Sequence, residues 1–305
     1  MIRFLVTGAS GLLGLNFSFQ AAMKNEVIGV VNKRGLNKVP FEVMSLDFLK
    51  DDNFVNTFAR VNPDVIIHCA AMANLEDCEE FPEQAYQLNA ELPGKLANFC
   101  KKNQIKLVHI STDAVFDGRS GNYSELDEPH PLSIYAKTKK EGEDFVIREN
   151  PDALIVRVNF FGWSINGNRS LGEFFYNNLN CNNPMNGFID VYFCPLYVSL
   201  LTELLSEMVT KDFSGLYHVV SSDHISKYEF GCTIADQFGL DSSLISPISV
   251  TKSNLVAERS KNLTLSTEKL SYDLGKEIPT IQHGVKSFYY DHKIGYSEKI
   301  RSFGL

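Results

Sequence analysis

The segment Thr7-Gly8-Ala9-Ser10-Gly11-Leu12-Leu13-Gly14 follows directly on an apolar run at 2–6 and leads into a helical pattern at 12–23. This placement constrains the fold more than any other feature of the chain. A strand, a tight glycine turn and a helix, in that order, open a dinucleotide-binding βαβ unit. Gly8 permits the turn, Gly11 lets the backbone approach a pyrophosphate, and Gly14 lets the helix close on the strand. The helix start then offers amides and a partial positive charge to the phosphates. Ser10, Leu12 and Leu13 complete that phosphate turn.

The next 150 or so residues keep the same rhythm. Further strands are expected at 27–31, 39–46, 65–70, 105–110 and 153–158, and helices at 51–61, 83–102 and 133–148. Near-continuous Val/Ile runs alternating with helices mean parallel strands covered on both faces. The expected class is therefore α/β, a Rossmann-type doubly wound sheet with its ligand at the carboxyl ends of the strands. Beyond residue 160 the pattern loosens. An Asn-rich loop is expected at 177–186, helices at 196–209, 227–238, 268–274 and 281–290, and strands at 216–220 and 245–250. Residues 1–160 read as the NADP(H)-binding domain and 161–305 as a smaller substrate-binding lobe interleaved with the sheet.

Composition removes other classes. Lys+Arg is 29 against 37 Asp+Glu, a net charge of −8, which leaves no broad basic footprint for nucleic acid or an anionic membrane. No run approaches the roughly 18 apolar residues of a membrane helix. The first residues form a strand rather than a signal peptide. The six cysteines lack CxxC spacing and read as reduced thiols of a cytoplasmic protein. No metal site is expected: the acidic run Glu76, Asp77, Glu79, Glu80 reads as a helix start.

The residues after the second strand choose between cofactors. An acid there binds the ribose diol of NAD. This chain has Asn32-Lys33-Arg34 instead, no acid and two cations, which favours a 2′-phosphate and hence NADPH, with NADH as the alternative. Asp47 and Phe48 are placed to meet the adenine. Cys69, Ala70 and Ala71 end the fourth strand and are small enough for the cofactor to pass.

The fifth strand runs into Ser111-Thr112-Asp113, and the following helix carries Tyr135 and Lys139. Four residues apart, these two share one helical face. A tyrosine titrates near 10 and is a poor catalyst at neutral pH. An adjacent ammonium is expected to lower that value. With a strand-end hydroxyl, the pair makes a proton donor for a carbonyl beside a nicotinamide.

These residues, together with TGASGLLG (7–14), HCAAMANLEDCEE (68–80), HISTDAVFDG (109–118), YAKTKKEGE (135–143), GLYHVVSSDHISKYEF (215–230) and AERSKNLTLSTEKL (257–270), carry a resemblance across nearly the whole chain. The sequence resembles extended short-chain dehydrogenase/reductases, and more narrowly the dTDP-4-dehydrorhamnose reductase branch. The resemblance implies catalysis by Thr112, Tyr135 and Lys139, with Lys139 also holding the nicotinamide ribose. It implies NADPH-dependent reduction of a nucleotide-linked 4-keto-6-deoxy sugar, in polysaccharide biosynthesis, with a homodimer as the expected assembly. Asp113, Phe116 and Arg259 are assigned to the substrate. The same branch resembles a non-catalytic regulatory subunit of methionine adenosyltransferase, and an epimerase of the superfamily is a further alternative.

Departures from the branch pattern cluster on the substrate side. Asn159-Phe160-Phe161-Gly162-Trp163 replaces a more usual Ser-Trp-x-Tyr-Gly, and Cys194-Pro195-Leu196-Tyr197-Val198-Ser199 replaces a Ser-Pro-Thr-Tyr stretch. Trp163 and the Phe160-Phe161 pair read equally well as base-stacking groups or as filling between lobes. His68 and His109, inside apolar strands, read as core histidines with their hydrogen bonds satisfied.

Overall fold

The computed structural model describes residues 1–33, 35–51, 54–252 and 260–304. In chain order the first half holds β1 (Arg3–Thr7), α1 (Leu12–Ala21), β2 (Glu26–Val31), β3 (Glu42–Ser45), α2 (Phe54–Val61), β4 (Val65–His68), α3 (Leu75–Glu80), α4 (Pro82–Tyr86), α5 (Leu92–Asn103), β5 (Lys106–Thr112), α6 (Ile134–Glu149) and β6 (Leu154–Val158). The second half adds β7 (Phe160–Phe161), α7 (Leu171–Asn180), β8 (Met185–Phe188), β9 (Tyr192–Phe193), β10 (Leu196–Tyr197), α8 (Val198–Thr210), β11 (Gly215–Val219), β12 (Ile225–Ser226), α9 (Lys227–Phe238), β13 (Ile245–Ile248), α10 (Glu268–Leu274), α11 (Ile281–Lys293) and α12 (Tyr296–Arg301).

Seven parallel strands form the central sheet in the order β11-β6-β5-β4-β1-β2-β3. The order reverses between β1 and β4, so the carboxyl ends of these two strands frame the crevice where a doubly wound sheet takes its ligand. Alternate residues of each strand feed two cores. Phe4, Val6, Ile67, Val108 and Val156 pack with Phe17 of α1 and Leu201 and Leu205 of α8. Leu5, Ile66, Leu107 and Ile155 pack with Phe58, Leu96 and Val146 on the other face. Both faces are covered, which is why the central strands are nearly continuous apolar runs. The seventh strand, β11, comes from the second half of the chain, and three two-stranded pairs, β10-β7, β12-β9 and β13-β8, build the rest of that half. Among the described residues no helix is long and apolar enough to cross a membrane.

Two expectations are corrected. The helix expected at 83–102 is broken into α4, a π-helical segment Gln87–Glu91, and α5. Pro93 has no amide to give the Asn89 carbonyl, and the turn widens there. Gly142 of α6 uses the opening: a Cβ on it would lie 2.1 Å from Asn89 O. The Asn-rich loop expected at 177–186 is shorter: residues 177–180 end α7, 181–184 form the turn, and 185–186 begin β8. A capping box between Ser170 and Glu173 starts α7, and buried Phe175 and Leu179 hold it, so packing overrides the weak propensity of its asparagines.

Candidate active site

The glycine turn has the form its spacing requires. Gly8 sits at φ +68, and a Cβ there would lie 2.8 Å from Ala70 N. A Cβ on Gly14 would lie 2.3 Å from Gly8 O. Side chains at these two positions would close the floor of the crevice. The first turn of α1 has neither a side-chain cap nor an acid, so its amides at Leu12, Leu13 and Gly14 keep their donors for an anion. Ser10 and Gly11 complete that turn, with Gly11 N bonded to Gly8 O at 2.8 Å. Opposite, Thr7 Oγ1 accepts the Ala70 amide at 3.2 Å, fixing the Cys69-Ala70-Ala71 segment across the crevice.

Asn32 and Lys33 follow β2 and are exposed. Arg34 lies outside the described residues. The Asp47 carboxylate accepts from Leu49 N at 3.2 Å and so caps its own turn. Phe48 packs edge-on against Phe54 and Phe58, which ties one side of its ring to the second core.

At the end of β5, Thr112 Oγ1 donates to Asp113 Oδ1 at 3.1 Å and accepts from Ala114 N at 3.2 Å. Ser133 caps α6 through Ala136 N, and Glu79 of α3 accepts the Ile134 amide at 2.9 Å, which sets the start of the helix that carries Tyr135 and Lys139. The acidic run before this point is thus helix α3 with Asn74 as its cap. Burial pushes the Tyr135 phenol up to about 12, against the opposing pull of the Thr112 hydroxyl. Lys139 is not among the groups that set this value. Lys139 is buried, its Nζ donates to Ile110 O at 2.6 Å, and burial brings its ammonium down to about 8. Asp113 is buried too, and loss of solvent raises its carboxyl to about 6 against the pull of Asn159, Thr112 and Lys227.

Several residues stand where sequence reasoning did not put them. Phe116 is fully buried and stacked on Tyr123 with centroids 4.1 Å apart, under the Arg157 guanidinium, so it is a core ring rather than a substrate contact. Trp163 is fully buried against Phe288 at 3.9 Å and fills the space between elements of the two halves. His68 and His109 are buried and stacked, but not satisfied: His68 Nδ1 reaches Thr7 Oγ1 at 2.8 Å, while His68 Nε2 and both nitrogens of His109 have no protein partner. Burial and the Lys139 charge keep both neutral, His68 falling to about 3 and His109 well below its ordinary value. Arg259 lies outside the described residues.

The structure also adds residues. Asn89, at the π-helical turn, accepts from Met72 N at 2.9 Å and donates to Met72 O at 3.0 Å and to Thr138 Oγ1 at 3.2 Å. It joins the strand-end loop of the crevice to α6 between Tyr135 and Lys139. Lys227 opens α9, and its charge reaches Asp113. It lines a cavity of about 470 Å³ with Phe174, Phe175, Asn186, Phe188 and Val191. A larger groove, about 630 Å³, opens at the opposite, amino ends of the strands. Its lysines, Lys101 and Lys106, are paired with Asp152 and Asp212, and it is remote from Thr112 and Tyr135. A mid-helix Asn before a Pro was the one sequence signal for Asn89. Lys227 gave none.

Residues 2–294 match the model of the RmlD substrate binding domain family. The chain belongs to this family. It is 30% identical over 284 residues to a probable low-salt glycan biosynthesis reductase of Haloferax volcanii, covering 91% of this chain and 94% of that protein. It is 32% identical over 290 residues to the methionine adenosyltransferase 2 subunit beta of Bos taurus, covering 91% and 84%. Among solved structures, a hypothetical dTDP-4-dehydrorhamnose reductase from Sulfolobus tokodaii superposes with a TM-score of 0.81 at 30% identity, over 92% of this chain and 97% of that one. The expected family and the doubly wound fold are both borne out.

Proposed function

We propose that the protein is an NADPH-dependent reductase of a nucleotide-activated 4-keto-6-deoxy sugar, of the dTDP-4-dehydrorhamnose reductase kind, acting in the cytoplasm. The observation that supports this reading is the seating of α6, the helix of Tyr135 and Lys139, on the end of β5 through Lys139 Nζ and Ile110 O at 2.6 Å, in a sheet whose glycine turn has no room for a Cβ at Gly8 or Gly14. A reductase needs a proton donor, and burial, which pushes the Tyr135 phenol up to about 12, favours the protonated form. The crevice fits the cofactor, since the two closest glycine approaches leave room for backbone to meet a pyrophosphate.

When bound, the reduced nicotinamide supplies a hydride to the carbonyl carbon. Tyr135 gives its proton to the carbonyl oxygen, and the Thr112 hydroxyl stands beside the same oxygen. Lys139, already buried beside the crevice, holds the nicotinamide ribose. Lys33 meets the adenosine 2′-phosphate. The aromatic cavity lined by Phe174, Phe175 and Phe188 suits a nucleotide base, and Lys227 on its wall suits the diphosphate.

A second reading is a non-catalytic cofactor-binding subunit, favoured by the likeness to the bovine protein. The retained Thr112, Tyr135 and Lys139 support the enzyme. The experiment is NADPH oxidation with a dTDP-linked 4-keto-6-deoxyhexose. Wild type should turn over, and Tyr135→Phe should fall about 10²–10⁴-fold while still binding NADPH. A wild-type rate in the variant, or none in the wild type, would overturn the reading.

A further inference from the structure

Two side chains donate to one buried carboxylate at the carboxyl ends of β5 and β6. Asn159, the residue after β6, donates from Nδ2 to Asp113 Oδ2 at 2.5 Å. Thr112 donates to the other oxygen, Oδ1, at 3.1 Å. A hydroxyl has one proton, so while Thr112 gives it to Asp113 that proton is turned away from any carbonyl placed beside Tyr135.

This arrangement depends on the charge of Asp113. As a carboxylate it only accepts, and it keeps the Thr112 proton. As a neutral acid it donates to Thr112, which then passes its own proton outward. Asp113 is 4% exposed, and the groups that face it come from every neighbouring element. They are Tyr135 of α6, Lys227 of α9, the Cys194 thiol ahead of β10, Asn159, and on its own segment Thr112 and the Ala114 amide. Burial favours the neutral acid, while Asn159, Thr112, Lys227 and Ala114 favour the carboxylate, and the balance falls at about 6. Asn159 makes the shorter of the two side-chain hydrogen bonds to it.

We propose that Asn159 is a positioning residue that acts through Asp113 and sets the pH range in which Thr112 donates to the substrate oxygen. Above that range Tyr135 alone donates; below it Thr112 adds a second donor to the developing oxyanion. The inference rests on the reductase reading. It places one of the departures from the branch pattern, Asn for Ser, inside the active site rather than in the sugar pocket.

The experiment has two parts. Carboxyl ¹³C NMR of the free protein, with the Asp113 signal assigned by its loss in Asp113→Asn, gives the titration of Asp113 without substrate. Asn159→Ala and the milder Asn159→Ser should move that midpoint to higher pH, because a donor to the carboxylate is lost. The kcat profile of wild type should rise about tenfold or more on going to the acid side of the same midpoint. The inflection should follow the midpoint in both Asn159 variants and vanish in Asp113→Asn. An unmoved NMR midpoint, or a kinetic profile in the variants that superimposes on wild type after scaling, overturns the proposal. Absence of wild-type turnover is a different result: it removes the reductase reading, and the proposal with it.

Discussion

Lys139 Nζ donates to Ile110 O at 2.6 Å, so in the free protein the ammonium is held by the backbone of β5 one helical turn away from Tyr135. The contact anchors α6 to the sheet at the point where the cofactor crevice begins. It also means that Lys139 is buried and weakly acidic in the free protein. Burial has brought it to about 8, and the neighbouring Glu143 opposes that fall.

The first expectation is a pH dependence of cofactor binding. The ammonium is the donor form, and it is lost above about 8. NADPH should therefore bind about tenfold more weakly at a pH about one unit above that midpoint than below it. In Lys139→Met the affinity should be weaker and flat across the same range. Titration by nicotinamide fluorescence decides this, and a flat wild-type profile counts against Lys139 as a ribose ligand.

Asn89 should matter to both binding and turnover. Its side chain makes three buried hydrogen bonds that join Met72 to Thr138. Asn89→Ala leaves the Met72 amide unpaired, at about 1–3 kcal/mol, while the Met72 carbonyl keeps the Cys78 thiol as its donor. The melting temperature should drop, and NADPH affinity and kcat should fall together, since loop and helix lose their common tie. Loss of stability with unchanged kinetics would make Asn89 purely structural.

Lys33 should bias cofactor choice. One cation on the 2′-phosphate contributes about 1.5–3 kcal/mol, a preference for NADPH of roughly tenfold to a hundredfold. Lys33→Ala, alone or with Arg34→Ala, should shrink that ratio in kcat/KM, and added salt should shrink it in wild type because Lys33 is exposed. A ratio indifferent to both changes would mean that the loop faces solvent.

Asp113 should cost stability at neutral pH. Its folded-state value, about 6, lies above the ordinary 3.8. The native state thus holds the proton more tightly than the unfolded chain. This stability is present below about pH 4 and is lost as pH rises through about 6. At pH 7 the deficit is about 3 kcal/mol. Asp113→Asn should raise the melting temperature at neutral pH and change it little near pH 4. Equal shifts at both values would show that ionisation is not the cause.

The order of strands, the glycine turn and the Tyr135–Lys139 pair were legible in the sequence because each is a matter of local spacing. Period and turn chemistry act over a few residues, and they place side chains on a face. They say nothing of what lies across from that face. Only the tertiary structure brought Asn159 to Asp113, 46 residues away, and Asn89 to Thr138, 49 residues away. It turned Lys139 to Ile110, buried Phe116 and Trp163, and widened the helix at Pro93 so that Gly142 could meet Asn89. The chemistry at the end of β5 depends on burial and on partners distant in sequence. Desolvation raised Tyr135 and Asp113 and lowered Lys139, and it exists only once the two halves of the chain have closed over them.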